Sequence, residues 1–210
     1  MKSVVYGIAI LITMSAYFYY ASLTSCSVDK IFINRHSSRA MSGAPVPHDE
    51  LMTLFGAARL APSSFNDQPW RFIYARKGTP AWQKMFDLLV PFNQAWVGTG
   101  DVLILIVSHN NFEHNGQFSR THSFDTGAAM ENLALQGSLM GLVIHGMAGF
   151  DYDRARVEFN IPEDYTVEAM FVVGKPGKVE VLTQELQEKE VRSPRKSLSE
   201  IIFEGAFTAQ

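Results

Sequence analysis

The sequence predicts an α+β fold, and three stretches carry that reading. His48 to about Leu60 spaces Leu51, Leu54, Phe55 and Ala58 at helical intervals. Val102-Leu103-Ile104-Leu105-Ile106-Val107 is apolar at every position, as a central strand buried on both faces requires. From about Phe124 to Met140 a long helix collects Gly127, Ala128, Ala129, Ala134, Gly137 and Ser138.

The chain divides into a leader, residues 1–27, and a domain, residues 28–210. Val4 to Leu23 is an uncharged apolar run of 20 residues after Lys2, long enough for a membrane-crossing helix. Leu23-Thr24-Ser25-Cys26 resembles the lipobox of bacterial lipoproteins, where Cys26 is lipidated. The leader is therefore expected to anchor the protein at a membrane, as a transmembrane helix through residues 4–23 or through lipidated Cys26. Lys30, Arg35 and Arg39 after the run favour a cytoplasmic domain, whereas the lipobox favours export.

Within the domain, Pro47 with His48-Asp49-Glu50 opens the first helix, placing acids in its positive first turn, and Pro62 ends it. Arg71 to Arg76 alternates as a strand with one wet face. Thr79 and Pro80 open a short helix to about Leu89 by a cap followed by a first-turn proline. Gly141 ends the small-residue helix as a left-handed cap. A strand is expected before Met147, another at Glu168 to Val173, and helix-prone sequence at Thr183 to Glu190. Ile201-Ile202-Phe203 gives the tail an apolar patch that needs cover. The small residues on the long helix suit close packing on the chain's own sheet and a helix–helix dimer seam equally.

Composition excludes several functions. With 47% apolar residues, 19% charged residues and a formal charge of −3, the chain carries a substantial core and no nucleic-acid footprint. Its six histidines include no His-x-x-x-His pair, and its one cysteine lies in the leader. Neither Gly-x-Ser-x-Gly nor Gly-x-Gly-x-x-Gly occurs, which removes the leading hydrolase and dinucleotide-fold readings.

What remains suits an anionic, planar ligand. In Arg35-His36-Ser37-Ser38-Arg39, two guanidiniums four residues apart flank a hydroxyl and can converge on one phosphate. Between Pro62 and Trp70, Ser63, Ser64, Asn66 and Gln68 offer hydroxyls and amides to the edge of a ring such as isoalloxazine, although an ordinary polar loop would carry the same residues. Asn93 adds an amide. Gly146 and Gly149 flank Met147-Ala148 and let backbone N–H groups approach a flat ligand.

Taken with Asp125-Thr126-Gly127, Asn132 to Leu135, Gly141 to Asp151 and Arg195 to Glu200, these motifs give the chain from about Asn34 to Phe207 its resemblance to the flavin-dependent nitroreductases, specifically the short bacterial members. The resemblance implies a three-layer α/β/α sandwich with a mixed, mainly antiparallel sheet, an entwined homodimer, and FMN bound between subunits. By position, Arg35, Ser37 and Arg39, in a motif that includes His36, would hold the phosphate and ribityl chain with Arg195. Ser63, Ser64, Asn66 and Gln68 would line the flavin, Asn93 its pyrimidine edge, and backbone N–H groups of Ala148 and Gly149 its N5. Two positions depart from the family: Trp96 stands where many relatives have Lys, and Ala148 where others have Glu.

The implied activity is ping-pong hydride transfer from NADH or NADPH through FMN to a small-molecule acceptor, a nitroaromatic or quinone. Its rivals are a membrane-tethered flavin binder without turnover and a reductive dehalogenase of halotyrosine-like substrates. No Glu, Tyr and Lys lid of the latter kind stands between Lys77 and Phe124. Replacing both Arg35 and Arg39 by Ala is expected to lower FMN affinity in a flavin-fluorescence titration; unchanged affinity would refute their phosphate role.

Overall fold

The computed structural model describes residues 28–208. Lys30–Glu190 forms one compact unit, and residues 191–208 fall in a second. In the first, strands β1 (Trp70–Arg76), β2 (Val102–His109), β3 (Val143–Met147) and β4 (Tyr165–Gly174) build one sheet in the order β1-β2-β4-β3. The ladders among these strands are antiparallel throughout. Helices α1 (Lys30–Asn34), α2 (His48–Ala58), α3 (Pro80–Leu88), α4 (Pro91–Val97), α5 (His122–Leu139), α6 (Tyr152–Glu158) and α7 (Gln184–Glu188) complete it.

The apolar run of β2 is the middle of a three-layer sandwich. Ile104 and Ile106 face α2 and α5 through Leu51, Leu54 and Leu133, whereas Leu103 and Leu105 face the other layer through Met85, Trp96 and Ala155. Helix starts follow local chemistry. Thr79 caps α3, its hydroxyl accepting from the Trp82 N–H at 3.3 Å ahead of Pro80, and Asp151 caps α6 by accepting from the Arg154 N–H at 2.9 Å. Gly141, at φ +70°, ends α5 as expected. The short helices α1, α4 and α6 lack a periodic stretch long enough to announce them.

The structure divides the small residues of α5 between the two readings. A Cβ on Gly137 would lie 2.4 Å from Ile144 Cγ1, so this glycine is required by packing on β3. A Cβ on Gly127 would meet nothing within 4 Å, so the chain's own packing does not require it.

Two features set up the site. First, β4 carries a bulge: Ile106 pairs with Ala169 but Val107 with Val167, leaving Glu168 as an extra residue. Second, Met41 is fully buried in a seat of glycines. A Cβ on Gly174 would fall 2.6 Å from Met41 Sδ, and one on Gly177 would fall 2.5 Å from the Met41 carbonyl carbon. The Ser42 N–H donates to the Lys175 carbonyl at 2.9 Å and the Gly177 N–H to the Ala40 carbonyl at 3.0 Å, so the chain just after Arg39 is stitched to the end of β4.

In the second unit, Ser197 and Glu200 form a capping box around a 3₁₀ turn. The Phe203 and Phe207 rings in this unit lie 4.8 Å apart, tilted by 58°.

The expected membrane-associated location is corrected by the structure: no helix among the described residues is long and apolar enough to cross a membrane. The apolar run at residues 4–23 and Cys26, on which that expectation rested, lie outside the described residues. His109 ends β2, with Nε2 3.2 Å from Asp164 Oδ2.

Gly177→Ala is expected to destabilise the fold by about 1–3 kcal/mol, because the new methyl meets backbone that cannot rotate away. Denaturant unfolding checks this; a loss below about 0.5 kcal/mol would show that the seat yields.

Candidate functional site

The segment Arg35–Arg39 leaves α1 and runs beside β3. Arg35 Nη1 donates to Ser37 Oγ at 3.1 Å, and Arg35 Nε lies 3.8 Å from a Glu131 carboxylate oxygen. Arg39 is engaged differently. Its guanidinium sits 3.6 Å from Glu190 Oε2 and within 5.9 Å of both the Phe92 and Trp96 rings, a cation–π arrangement. Glu190 Oε1 also accepts from Ser38 Oγ at 2.5 Å and from the Arg39 N–H at 2.7 Å. Burial opposes the charge on Glu190, but these bonds and the Ala40 amide hold its carboxyl below the usual range.

His145 on β3 ties this segment to the sheet, donating from Nδ1 to the Ser38 carbonyl at 3.0 Å. Its ring lies 4.4 Å from Trp96. Burial pushes its pKa down, against the pull of the Ser38 bond, which favours a neutral imidazole. Trp96 is thus a buried packing residue beside Arg39 and His145.

Asn93 and Gly149 meet as well. The Gly149 carbonyl accepts from Asn93 Nδ2 at 3.0 Å and from the Val90 N–H at 3.1 Å, and a Cβ on Gly149 would lie 2.9 Å from Asn93 Nδ2. Ala148 beside it is exposed. Gly146, paired with Phe171, lets that ring lie across the strand, because a Cβ there would fall 2.7 Å from the ring.

A cleft of about 520 Å³ opens between α5 and the sheet. Arg35 and Ser37 stand in its wall, Ile106, Ile144 and Phe171 give it an apolar floor, and Gly127 leaves its helical side low. The hydroxyl of Thr126, also lining the cleft, is buried and has no hydrogen-bond partner. At a cleft this is an unmet demand for a ligand atom or a water.

The loop of Ser63, Ser64, Asn66 and Gln68 stands elsewhere. It precedes β1, at the sheet edge opposite β3, and three strand spacings separate the two edges, about 14 Å. Phe65, Asn66 and Gln68 all have φ between 51° and 55°, an unfavourable conformation for side-chain-bearing residues. The loop is held by Asp125 at the start of α5, whose carboxylate accepts from the Ser64 N–H at 3.0 Å, and by Ser63 Oγ, which accepts from the Gln68 N–H at 3.0 Å. Phe65 at its tip is 79% exposed. The structure therefore brings Arg35 to Arg39, Asn93, Ala148 and Gly149 to one edge and the 63–68 loop to the other. Arg195 belongs to the second unit.

Sequence reasoning missed a polar group at the cleft. Glu168 Oε1 accepts from Ser108 Oγ and, at 2.6 Å, from Ser123 Oγ, and lies 3.6 Å from His122 Nδ1. No single motif joins these residues. The bulge that aims Glu168 is visible only in the register.

Comparison with known proteins gives this arrangement its context. The model of the nitroreductase family matches residues 33–175. A solved structure described as an oxidoreductase containing FMN is 39% identical, with a TM-score of 0.84 over 88% of this chain and 95% of that one. A nitroreductase family protein of Clostridium difficile 630, 21% identical, shares the fold with a TM-score of 0.66 over 87% of this chain and 100% of that chain. A protein of Rhodopseudomonas palustris (strain TIE-1), provisionally named an NADH dehydrogenase/NAD(P)H nitroreductase, is 23% identical over 157 residues, 66% of this chain and 80% of its own. With the family model spanning the sheet and the cleft, and this sandwich beneath them, the chain belongs to the nitroreductase family.

Proposed function

We propose that this protein is an FMN-dependent oxidoreductase that takes electrons from NADH or NADPH and passes them to electron-poor small molecules such as nitroaromatics or quinones. The observation that carries the reading is the cleft itself: a guanidinium and a hydroxyl on its wall, an apolar floor, and a buried hydroxyl without a partner. This donor set fits FMN, which offers a phosphate, ribityl oxygens and a flat ring.

Arg35 and Ser37 would bind the phosphate, helped by His36. Arg39, oriented by Glu190, would face the ribityl chain and pyrimidine side, with Asn93 holding the Gly149 strand end in place. The exposed backbone at Ala148, beside Gly149, would approach the ring. Bound FMN supplies the two-electron chemistry, while the protein binds, orients and excludes water.

A second copy completes the site. Ser63, Ser64, Asn66 and Gln68 precede β1, at the sheet edge opposite β3, and in a homodimer this loop would reach the ring bound by the partner subunit. The open flank at Gly127 and the exposed Phe65 and Phe124 suit such a seam. The cofactor-binding unit is assigned to residues 28–210, with residues 1–27 as a separate leader.

The purified full-length protein is expected to be yellow, to bleach on anaerobic addition of NADH or NADPH, and to regain colour when a nitroaromatic or quinone is added. A colourless protein that takes up no FMN would overturn the reading. A yellow protein that never bleaches would identify a passive flavin binder instead.

A further inference from the structure

The Glu168 cluster does more than pin a helix. Alternation counted back from Met170 would send Glu168 into the layer of Met85 and Trp96, but the bulge leaves both Glu168 and Ala169 facing α5 and the cleft. Three groups hold the carboxylate there: Ser108, which is fully buried, Ser123 and His122. All of these contacts fall on Oε1, and Oε2 takes no hydrogen bond from the described residues. One turn of α5 beyond Ser123 stands Thr126, whose buried hydroxyl has no partner. This part of the cleft therefore offers an oriented carboxylate oxygen, along α5 from the Glu131 and Ala134 side where Arg35 stands.

We infer that Glu168 is a specificity-determining residue for the electron acceptor: Oε2 accepts a hydrogen bond from an acceptor that bears an ammonium, amine or hydroxyl group, and repels one that bears a carboxylate. The inference rests on the oxidoreductase reading above, with the cofactor phosphate at Arg35 and Ser37 and the Glu168 end left to the acceptor. The physical basis is the asymmetry of a fixed charge in a partly desolvated cleft. A charge-assisted bond to a matching donor is strong, whereas a carboxylate placed opposite Oε2 meets a like charge. Because its position is already fixed by two serines and a histidine, the carboxylate loses little freedom when it binds.

The test compares 4-nitrobenzylamine with 4-nitrobenzoate as acceptors for the FMN-loaded full-length protein. The ratio of their kcat/KM values is expected to favour the amine by roughly tenfold or more, the range of a charge-assisted hydrogen bond. Glu168→Gln should bring the ratio toward one, with most of the change in KM. The same preference should appear in dissociation constants from flavin-fluorescence titration without nicotinamide. A Glu168 that only braces α5 would lower both acceptors alike and leave the ratio unchanged, which would overturn the inference. If Glu168→Gln does not fold, the wild-type ratio decides: a value near one, or a preference for the benzoate, overturns it as well. Failure to bind FMN or to bleach would instead count against the oxidoreductase reading.

Discussion

The sheet works because both of its faces are buried and its alternation is broken once. Val167 and Met170 both belong to the apolar layer beneath α3, α4 and α6, although their spacing of three would put them on opposite faces of a regular strand. The extra residue in β4 reconciles them. Alternation counted back from Met170 would turn Glu168 into a layer built from Met85, Trp96 and Val107, where an ionised carboxylate is costly to bury. With the extra residue, the same carboxylate stands among hydroxyls at the start of α5. One register shift thus keeps the core apolar and gives the cleft its acidic wall.

The cationic wall is organised by a different constraint. Arg35 to Arg39 has only one turn of helix before it and takes its shape from its surroundings: Met41 in its glycine seat, the Ser38 carbonyl on His145, and Glu190 beneath the Arg39 amide. Arg39 and Arg35 consequently differ in environment despite their symmetric place in the motif. Arg39 is paired with Glu190 and lies 5.9 Å from both the Phe92 and Trp96 rings, whereas Arg35 and Ser37 line the open cleft.

Much of this was legible in the sequence. The central strand, α2, α3, α5 and their caps follow from periodicity, proline and glycine, because those features act locally. The fold places the groups at positions 35 to 39, 93 and 148 to 149 on one edge. The separation of the 63–68 loop from them was not legible, since it depends on strand order. Glu168 was hidden for a related reason: inside Glu168 to Val173 it reads as one more strand residue, and only the pairing of Val107 with Val167 reveals that it is surplus. Trp96 was recognised as a departure, but its partner His145 and its burial came from packing between distant elements.

The glycine seat has a consequence for the order of folding events. Ser42 and Lys175 are 133 residues apart in sequence, and Ser38 and Glu190 are 152 apart, yet these are the contacts that shape the segment bearing the arginines. Such closures come late, because a long loop must be paid for in entropy before its contacts form. On a ribosome, the amino-terminal arginines would emerge first and wait for β4 and α7 before acquiring their native shape. Ligand capture by this edge of the sheet is therefore an index of a finished fold, and any molecule that binds there draws the whole unit, not a local motif, toward the native state.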